Sequence, residues 1–156
     1  HICLYEREQK FILTGDHVLY ETTPHVGFTP QSGDNPLSDY ISSLKKLESL
    51  KVNFTLPGHG PLFNALGLRI EKILQHHEER KKAIMKSLRN GLRTAYEIAQ
   101  QIPWMGSGGD TPFRDLPVWD KRMAVSETIA HLRLLMEEDR VSNVAMNGAS
   151  LYLAKD

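Results

Sequence analysis

The sequence predicts an α/β fold, in which strands that end at glycine alternate with helices. Two stretches, 10–14 and 52–56, are short and rich in apolar or β-favouring residues, as buried strands are. Between them, apolar residues recur at helical spacing after Ser38, a residue type that caps helices. These observations predict a strand-helix-strand unit, in which consecutive strands bring their ends to the same edge of a sheet.

A loop with one histidine follows the second of these strands. Its sequence is Pro57-Gly58-His59-Gly60-Pro61. Pro fixes φ, and Gly adopts conformations that other residues avoid. The loop therefore presents one imidazole at a strand end with little side-chain bulk beside it. That placement suits a metal ligand, and a tight turn that holds a surface histidine accounts for the same residues equally well.

The first strand also ends in a glycine followed by a ligand type, Gly15-Asp16. This order, with about 40 residues and a helix before Pro-Gly-His-Gly, resembles the metallo-β-lactamase superfamily. Within it the chain is most similar to glyoxalase II-like hydrolases that carry a C-terminal winged-helix-like domain. The resemblance implies that Asp16 bridges two metal ions and that His59 binds one of them. Zinc is the metal implied, with iron or manganese as alternatives.

The resemblance also implies a domain organisation. Residues 1–66 are expected to form the C-terminal half of a metallo-β-lactamase αββα sandwich, and residues 67–156 a small winged-helix-like helical domain. The family's His-x-His-x-Asp-His cluster lies upstream of everything seen here, and no His-x-His occurs in this chain. The chain begins at His1, which most resembles the second histidine of a family segment, Gly-His-x-x-Gly-His. We therefore expect the C-terminal portion of a hydrolase, whose partner is the N-terminal half of its own domain and which is inactive alone.

The activity implied for the parent protein is hydrolysis by a metal-activated water. The substrate would be a small molecule with a thioester, ester or lactone carbonyl. One alternative is a single-strand ribonuclease or phosphodiesterase of the same superfamily, and another is a winged-helix nucleic-acid-binding module without catalysis. His25 lies in a long proline-rich loop, 23–36, where it is either a solvated loop residue or a contact to substrate beside the metals.

Composition limits the remaining classes. The 156 residues are 40% hydrophobic and 24% charged, as in a soluble globular protein. No run of 18 apolar residues occurs, so no membrane partner is expected. The single cysteine, Cys3, forbids an internal disulfide and fits a reducing, cytoplasmic compartment. A homodimer is left open.

The charges are unevenly spread, although the whole chain has a net charge of zero. The predicted helix 117–139 mixes basic and acidic residues, which argues against nucleic acid as a partner. The predicted helix 68–88 and the residue after it carry an excess of basic side chains: Arg69, Lys72, Arg80, Lys81, Lys82, Lys86 and Arg89. Packing against the first domain and guidance of a polyanion are both open roles for this helix.

The remaining elements are predicted as follows. Residues 2–5 form a strand, and 18–20 extend the sheet. Histidines 76 and 77 lie on the surface or at an interface of helix 68–88, and Thr94 caps a short helix, 95–101. A glycine-rich connector covers 104–112, and a hairpin turns at Asn147-Gly148.

Overall fold

The computed structural model describes residues 1–106 and 109–155, which fall into two compact units. The first unit contains His1–Pro24 and Asp39–His76, and the second contains His25–Ser38 and His77–Asp156. The predicted domains 1–66 and 67–156 stay a prediction. No helix within the described ranges is long and apolar enough to cross a membrane.

A three-stranded sheet organises the first unit. Its strands are β1 (Leu4–Glu6), β2 (Phe11–Gly15) and β3 (Phe54–Pro57). β2 is the central strand and pairs antiparallel with β1 and parallel with β3. Helix α1 (Pro36–Glu48) lies between the two parallel strands in the sequence. The predicted strand-helix-strand unit is therefore present.

The two faces of this sheet differ in exposure. Ile12 and its register partner Thr55 are fully buried on one face. On the other face Leu13 is paired in register with Leu4 and Leu56, and all three leucines are exposed. We call this leucine row the outer face. Within the described residues, one face of the sheet is covered and the outer face is not.

Residues 18–20 do not extend the sheet, so that expectation is wrong. The chain turns back directly after β2, because the His17 amide donates to the Thr14 carbonyl at 3.0 Å. The Thr14 hydroxyl in turn donates to the Val18 carbonyl at 2.8 Å. These bonds close a turn over the residues that would otherwise pair as a strand.

Helix α1 begins two residues before the predicted cap. The Ser38 amide donates to the Asn35 side-chain oxygen at 3.2 Å, so Asn35 takes the capping role predicted for Ser38. Pro36 then occupies the first helical position, where its missing N–H costs nothing. Helix α2 (Leu66–Ser87) is followed by a single 3₁₀ turn, Leu88–Asn90.

The second unit contains the short helix after Thr94, the long helix after Pro117 and the terminal hairpin, all of which the sequence predicts. Its further elements are β4 (Arg93–Thr94), α3 (Ala95–Ala99), β5 (Trp104–Gly106), β6 (Gly109–Thr111), a 3₁₀ turn (Phe113–Asp115), α4 (Val118–Glu137), β7 (Val141–Met146) and β8 (Ala149–Ala154). The sheet order is β4-β8-β7. Thr94 caps α3 in a reciprocal capping box with Glu97, as expected. The winged-helix-like assignment stays a prediction.

One segment of the second unit, the predicted connector 104–112, differs from the prediction made from its sequence. β5 and β6 pair antiparallel in a segment where a glycine-rich connector was expected. The predicted connector also includes Ser107 and Gly108, which lie outside the described residues. The Trp104 indole is buried and donates to the Ala99 carbonyl at 2.8 Å, which fixes the start of this segment. Glycine content indicated a loop, whereas backbone pairing that places Trp104 opposite Thr111 makes two short strands of this segment.

Candidate metal centre

Asp16 is positioned by a tight turn at the end of β2. Gly15 has φ +51°, a left-handed conformation that favours glycine, and it brings the chain round so that His17 bonds to Thr14. The Asp16 side chain is 38% exposed. The turn therefore presents the carboxylate partly to solvent rather than into the core.

His59 follows β3, and its loop is tied directly to the Asp16 turn. The Gly58 amide donates to the carbonyl of Gly15, the last residue of β2, at 2.8 Å, which extends the parallel β2–β3 pairing into the His59 loop. His59 Nδ1 lies 2.6 Å from Asp16 Oδ1. The structure thus brings together the two residues predicted as metal ligands, although 43 positions separate them in the sequence. Their role as ligands stays a prediction.

Gly58 makes room for the carboxylate. A Cβ at this position would lie 2.8 Å from Asp16 Oδ1, closer than real Cβ atoms come, and 3.1 Å from the Gly15 carbonyl carbon, which is a tight contact. Any side chain at residue 58 would therefore displace the Asp16 carboxylate or the Gly15 backbone. The absence of a side chain here is a condition for the observed Asp16–His59 geometry.

The hydrogen bond assigns the proton on His59. An ionised carboxylate only accepts, so Nδ1 of His59 is the donor to Asp16. In a neutral imidazole, Nε2 then carries the lone pair, and that nitrogen is the available ligand atom. The His59 side chain is 78% exposed, so the bond itself contributes little to stability.

These two side chains fit part of a metal centre. A carboxylate oxygen and an imidazole nitrogen are both zinc ligands, whereas catalytic zinc commonly has three protein ligands. Across residues 1–106 and 109–155, no group of three or more His, Cys, Asp or Glu side chains is arranged to hold a metal ion. Both side chains carry donor atoms of the kinds that zinc binds, but two donors are fewer than a complete catalytic zinc site has.

His17, the neighbour of Asp16, was not singled out from the sequence and holds the turn in place. Its Nε2 lies 3.1 Å from the Ser43 hydroxyl, and its ring packs edge-on against Tyr40 at 5.0 Å. The Tyr40 hydroxyl donates to the His17 carbonyl at 2.9 Å. Burial lowers the pKa of His17, with a smaller contribution from the N-terminal charge. A histidine directly after Gly-Asp was visible in the sequence, but its contacts to α1 were not.

His25 belongs to the second unit. It is exposed, and its Nε2 lies 3.0 Å from the Met123 carbonyl. This bond attaches its loop to α4, together with the Phe28 amide, which donates to the Ser126 carbonyl at 3.0 Å. The predicted contact of His25 to substrate stays a prediction.

The expectation that His77 lies at the surface is wrong, and the alternative of an interface stays a prediction. His77 is 1% exposed, and its Nδ1 lies 3.1 Å from Nε2 of His131, which is fully buried. His76 is half-buried. His77 lies on the apolar stripe of α2, and packing of that stripe in the second unit buries it.

The basic residues of α2 are not a continuous exposed surface either. Arg80 is buried over the Trp104 ring at 4.2 Å and near Glu127, with 3.5 Å between Nε and Oε1. Lys81 is also buried and pairs with Glu78 at 2.8 Å and Glu138 at 2.6 Å. Two of the seven cations are thus neutralised inside the second unit. This weakens the case for α2 as a guide for a polyanion.

Comparison with known proteins agrees with the family resemblance seen in the sequence. Residues 1–59 match the family described as the Metallo-beta-lactamase superfamily. A metallo-beta-lactamase family protein from Thermus thermophilus has a similar structure, with a TM-score of 0.80 and 28% identity over 99% of this chain and 45% of that one. A beta-lactamase domain protein from Burkholderia ambifaria, at 24% identity, shares the fold with a TM-score of 0.85, over 99% of this chain and 44% of that one.

Curated relatives agree with this assignment. "Probable metallo-hydrolase YqjP" of Bacillus subtilis is 27% identical over 92% of this chain and 43% of its own length. "Atrochrysone carboxyl ACP thioesterase" of Aspergillus fumigatus is 28% identical over 58% of this chain and 26% of its own length. The chain therefore spans less than half the length of these relatives. Its residues 1–59 match the metallo-β-lactamase superfamily, and the chain has the mixed α/β fold of the solved relatives.

Proposed function

We propose that the parent protein of this chain is a zinc-dependent hydrolase that cleaves a thioester, ester or lactone carbonyl. The observation that carries this proposal is the 2.6 Å contact between Asp16 Oδ1 and His59 Nδ1 at neighbouring ends of parallel strands. The superfamily match supports a hydrolase, and the relative named as an acyl-carrier thioesterase supports a thioester. The glyoxalase II-like assignment and the cytoplasmic location belong to the same proposal.

The residues of this chain have defined roles in that chemistry. A bound divalent metal lowers the pKa of a coordinated water towards neutrality and so supplies a hydroxide nucleophile. Asp16 fixes the ring of His59 by accepting its Nδ1 proton, which leaves Nε2 as the ligand atom. The second oxygen of Asp16 is a further ligand atom. Because two ligating residues are fewer than catalytic zinc needs, we propose that the remaining ligands come from another segment of the parent protein.

A zinc titration of the 156-residue chain tests the site. We expect weak binding that shifts the ring resonances of His59 in ¹⁵N NMR spectra, because Nε2 is the atom that coordinates. Asp16→Asn should abolish the shift, and His59→Gln should abolish zinc binding itself. His25→Gln, which removes another exposed histidine, should leave it unchanged. Zinc binding that leaves the His59 resonances unmoved would contradict the assignment of this site.

An activity measurement tests the ligand count. We expect no thiol release from a simple acyl thioester by this chain alone, with zinc present, because an incomplete metal centre does not generate the nucleophile. Metal analysis after dialysis should find less than one zinc per chain. Two tightly held zinc ions per chain, or zinc-dependent turnover that Asp16→Asn removes, would show that the chain contains a complete site.

A further inference from the structure

A cavity of about 400 Å³ opens in the first unit beside the loop that carries His59. Its walls include Tyr20, Phe63, Asn64, Leu68, Arg69 and Lys72. Tyr20 follows Asp16 by four residues and lies against the His59 loop, since a Cβ on Gly60 would lie 4.0 Å from the Tyr20 Cβ. Tyr20 thus connects the cavity to the loop that carries His59.

The cavity has an aromatic wall. The rings of Tyr20 and Phe63 are tilted by 47° with 5.6 Å between their centroids, a favourable aromatic pair. Leu68 is 63% exposed and adds an apolar side chain to the rim. A second hollow of about 480 Å³ shares Tyr20, Phe63 and Asn64 with the first.

The cavity also has a basic wall. The Arg69 guanidinium is held in a fixed position, because Nε donates to the Leu19 carbonyl at 2.7 Å and Nη2 donates to the Glu21 carbonyl at 3.0 Å. Both acceptors are neutral backbone carbonyls, so they orient the Arg69 guanidinium and do not neutralise its positive charge. Lys72 lies one turn further along α2 and is exposed. Glu21 is the one carboxylate among the lining residues, which leaves an excess of positive charge in the cavity.

Resting on the proposed hydrolase function, we propose that this cavity binds the anionic end of the substrate, a carboxylate or phosphate carried on an apolar or aromatic body. The body packs on Tyr20 and Phe63, and the anion lies between Arg69 and Lys72. Hydrolysis would take place at the Asp16–His59 end. The anion can belong to the acyl part, as a carboxylate, or to the thiol part, as a phosphate, and the chemistry of the cavity is the same in both cases.

The test is binding of uncleavable probes to the 156-residue chain, followed by NMR without metal. 4-Phenylbutyrate, its uncharged amide and phenyl phosphate are titrated separately. We expect the two anions to shift Tyr20 ring resonances and to bind at least about fivefold more tightly than the amide, because a fixed guanidinium forms charge-assisted hydrogen bonds. Tighter binding of the carboxylate assigns the anion to the acyl part, and tighter binding of the phosphate assigns it to the thiol part.

Lys72→Gln is the decisive variant, since replacing Arg69 would also release the backbone that it holds. Lys82→Gln is its matched control, because Lys82 is another exposed lysine of α2 and does not line the cavity. We expect Lys72→Gln to weaken binding of the anions about fivefold and Lys82→Gln to leave it unchanged. Equal affinities for the anions and the amide, or equal losses in the two variants, would overturn the proposal. Because no metal or turnover is involved, this result is independent of the zinc and activity tests.

Discussion

The two units of the chain cover their apolar residues differently. In the second unit, one continuous core joins the end of α2 to α3, α4 and the hairpin, and it includes fully buried leucines such as Leu132 and Leu135. In the first unit, the sheet that positions Asp16 and His59 buries one face, and the leucines of its outer face are exposed. The second unit therefore encloses a core of its own, although Trp119 and Val144 at its surface are exposed, whereas the sheet of the first unit leaves one whole row of leucines uncovered among the described residues.

Replacing one leucine in each unit would test this contrast most strongly. We expect Leu135→Ala to cost about 3 kcal/mol in the free energy of unfolding, because it leaves a cavity in a closed core. Leu13→Ala, the matched change on the outer face, should cost about 1 kcal/mol or less, since Leu13 is 41% exposed. Urea unfolding followed by circular dichroism measures both. Equal costs would show that the outer face is as well covered as the core.

The buried cation of the second unit gives the next largest effect. We expect Arg80→Ala to cost about 2–4 kcal/mol, because it removes the guanidinium from Trp104 and leaves Glu127 without its buried partner. Lys82→Ala, an exposed position two residues along the same helix, should change stability by less than about 0.5 kcal/mol. Both tryptophans belong to the second unit, so their fluorescence during unfolding reports on it. Similar small costs for the two variants would place Arg80 at the surface.

The smallest expected effect is a pH dependence in the first unit. Burial lowers the pKa of His17 below its ordinary value of 6.5, so the unfolded chain binds the proton more readily than the folded one. The contribution of His17 to stability is therefore complete above about pH 6.5 and is lost as the pH falls through the folded pKa. An NMR titration of the His17 ring should give a midpoint below 6.5. In His17→Gln this part of the pH dependence of unfolding should disappear, and an unchanged profile would contradict the assignment.

Local patterns predicted elements better than they predicted burial. The Thr94 capping box and the turn at Asn147-Gly148 depend on residues close in sequence, and both are present in the structure. The strand-helix-strand unit was predicted from two strand ends, and the structure brings Asp16 and His59 together there. Sequence could not tell that Arg80 is buried while Lys82 is exposed, because this depends on Trp104 and Glu127, which are distant in the sequence.

The cap of α1 and the contacts of His17 differ in how far the sequence could predict them. Asn35 is followed by Pro36, and a capping residue before a proline is a signature of a helix start, so the sequence contained the signal for this cap although Ser38 was predicted instead. By contrast, the bonds of His17 to Ser43 and Tyr40 depend on where α1 packs. Local propensity identifies several residues that could make a given contact, and the tertiary structure decides which of them makes it.

The parallel pairing of β2 and β3 has a consequence for the order of folding events. β1 and β2 form a hairpin from neighbouring residues, whereas β2 and β3 pair only after the intervening chain has closed a long loop. Closing that loop costs conformational entropy before the new contacts repay it, so non-local parallel pairing is intrinsically slow. Because Asp16 and His59 meet only through this pairing, we expect these two side chains to come together after the local hairpin has formed. Rapid-mixing experiments should therefore find that the His59 environment becomes native more slowly than the β1–β2 hairpin.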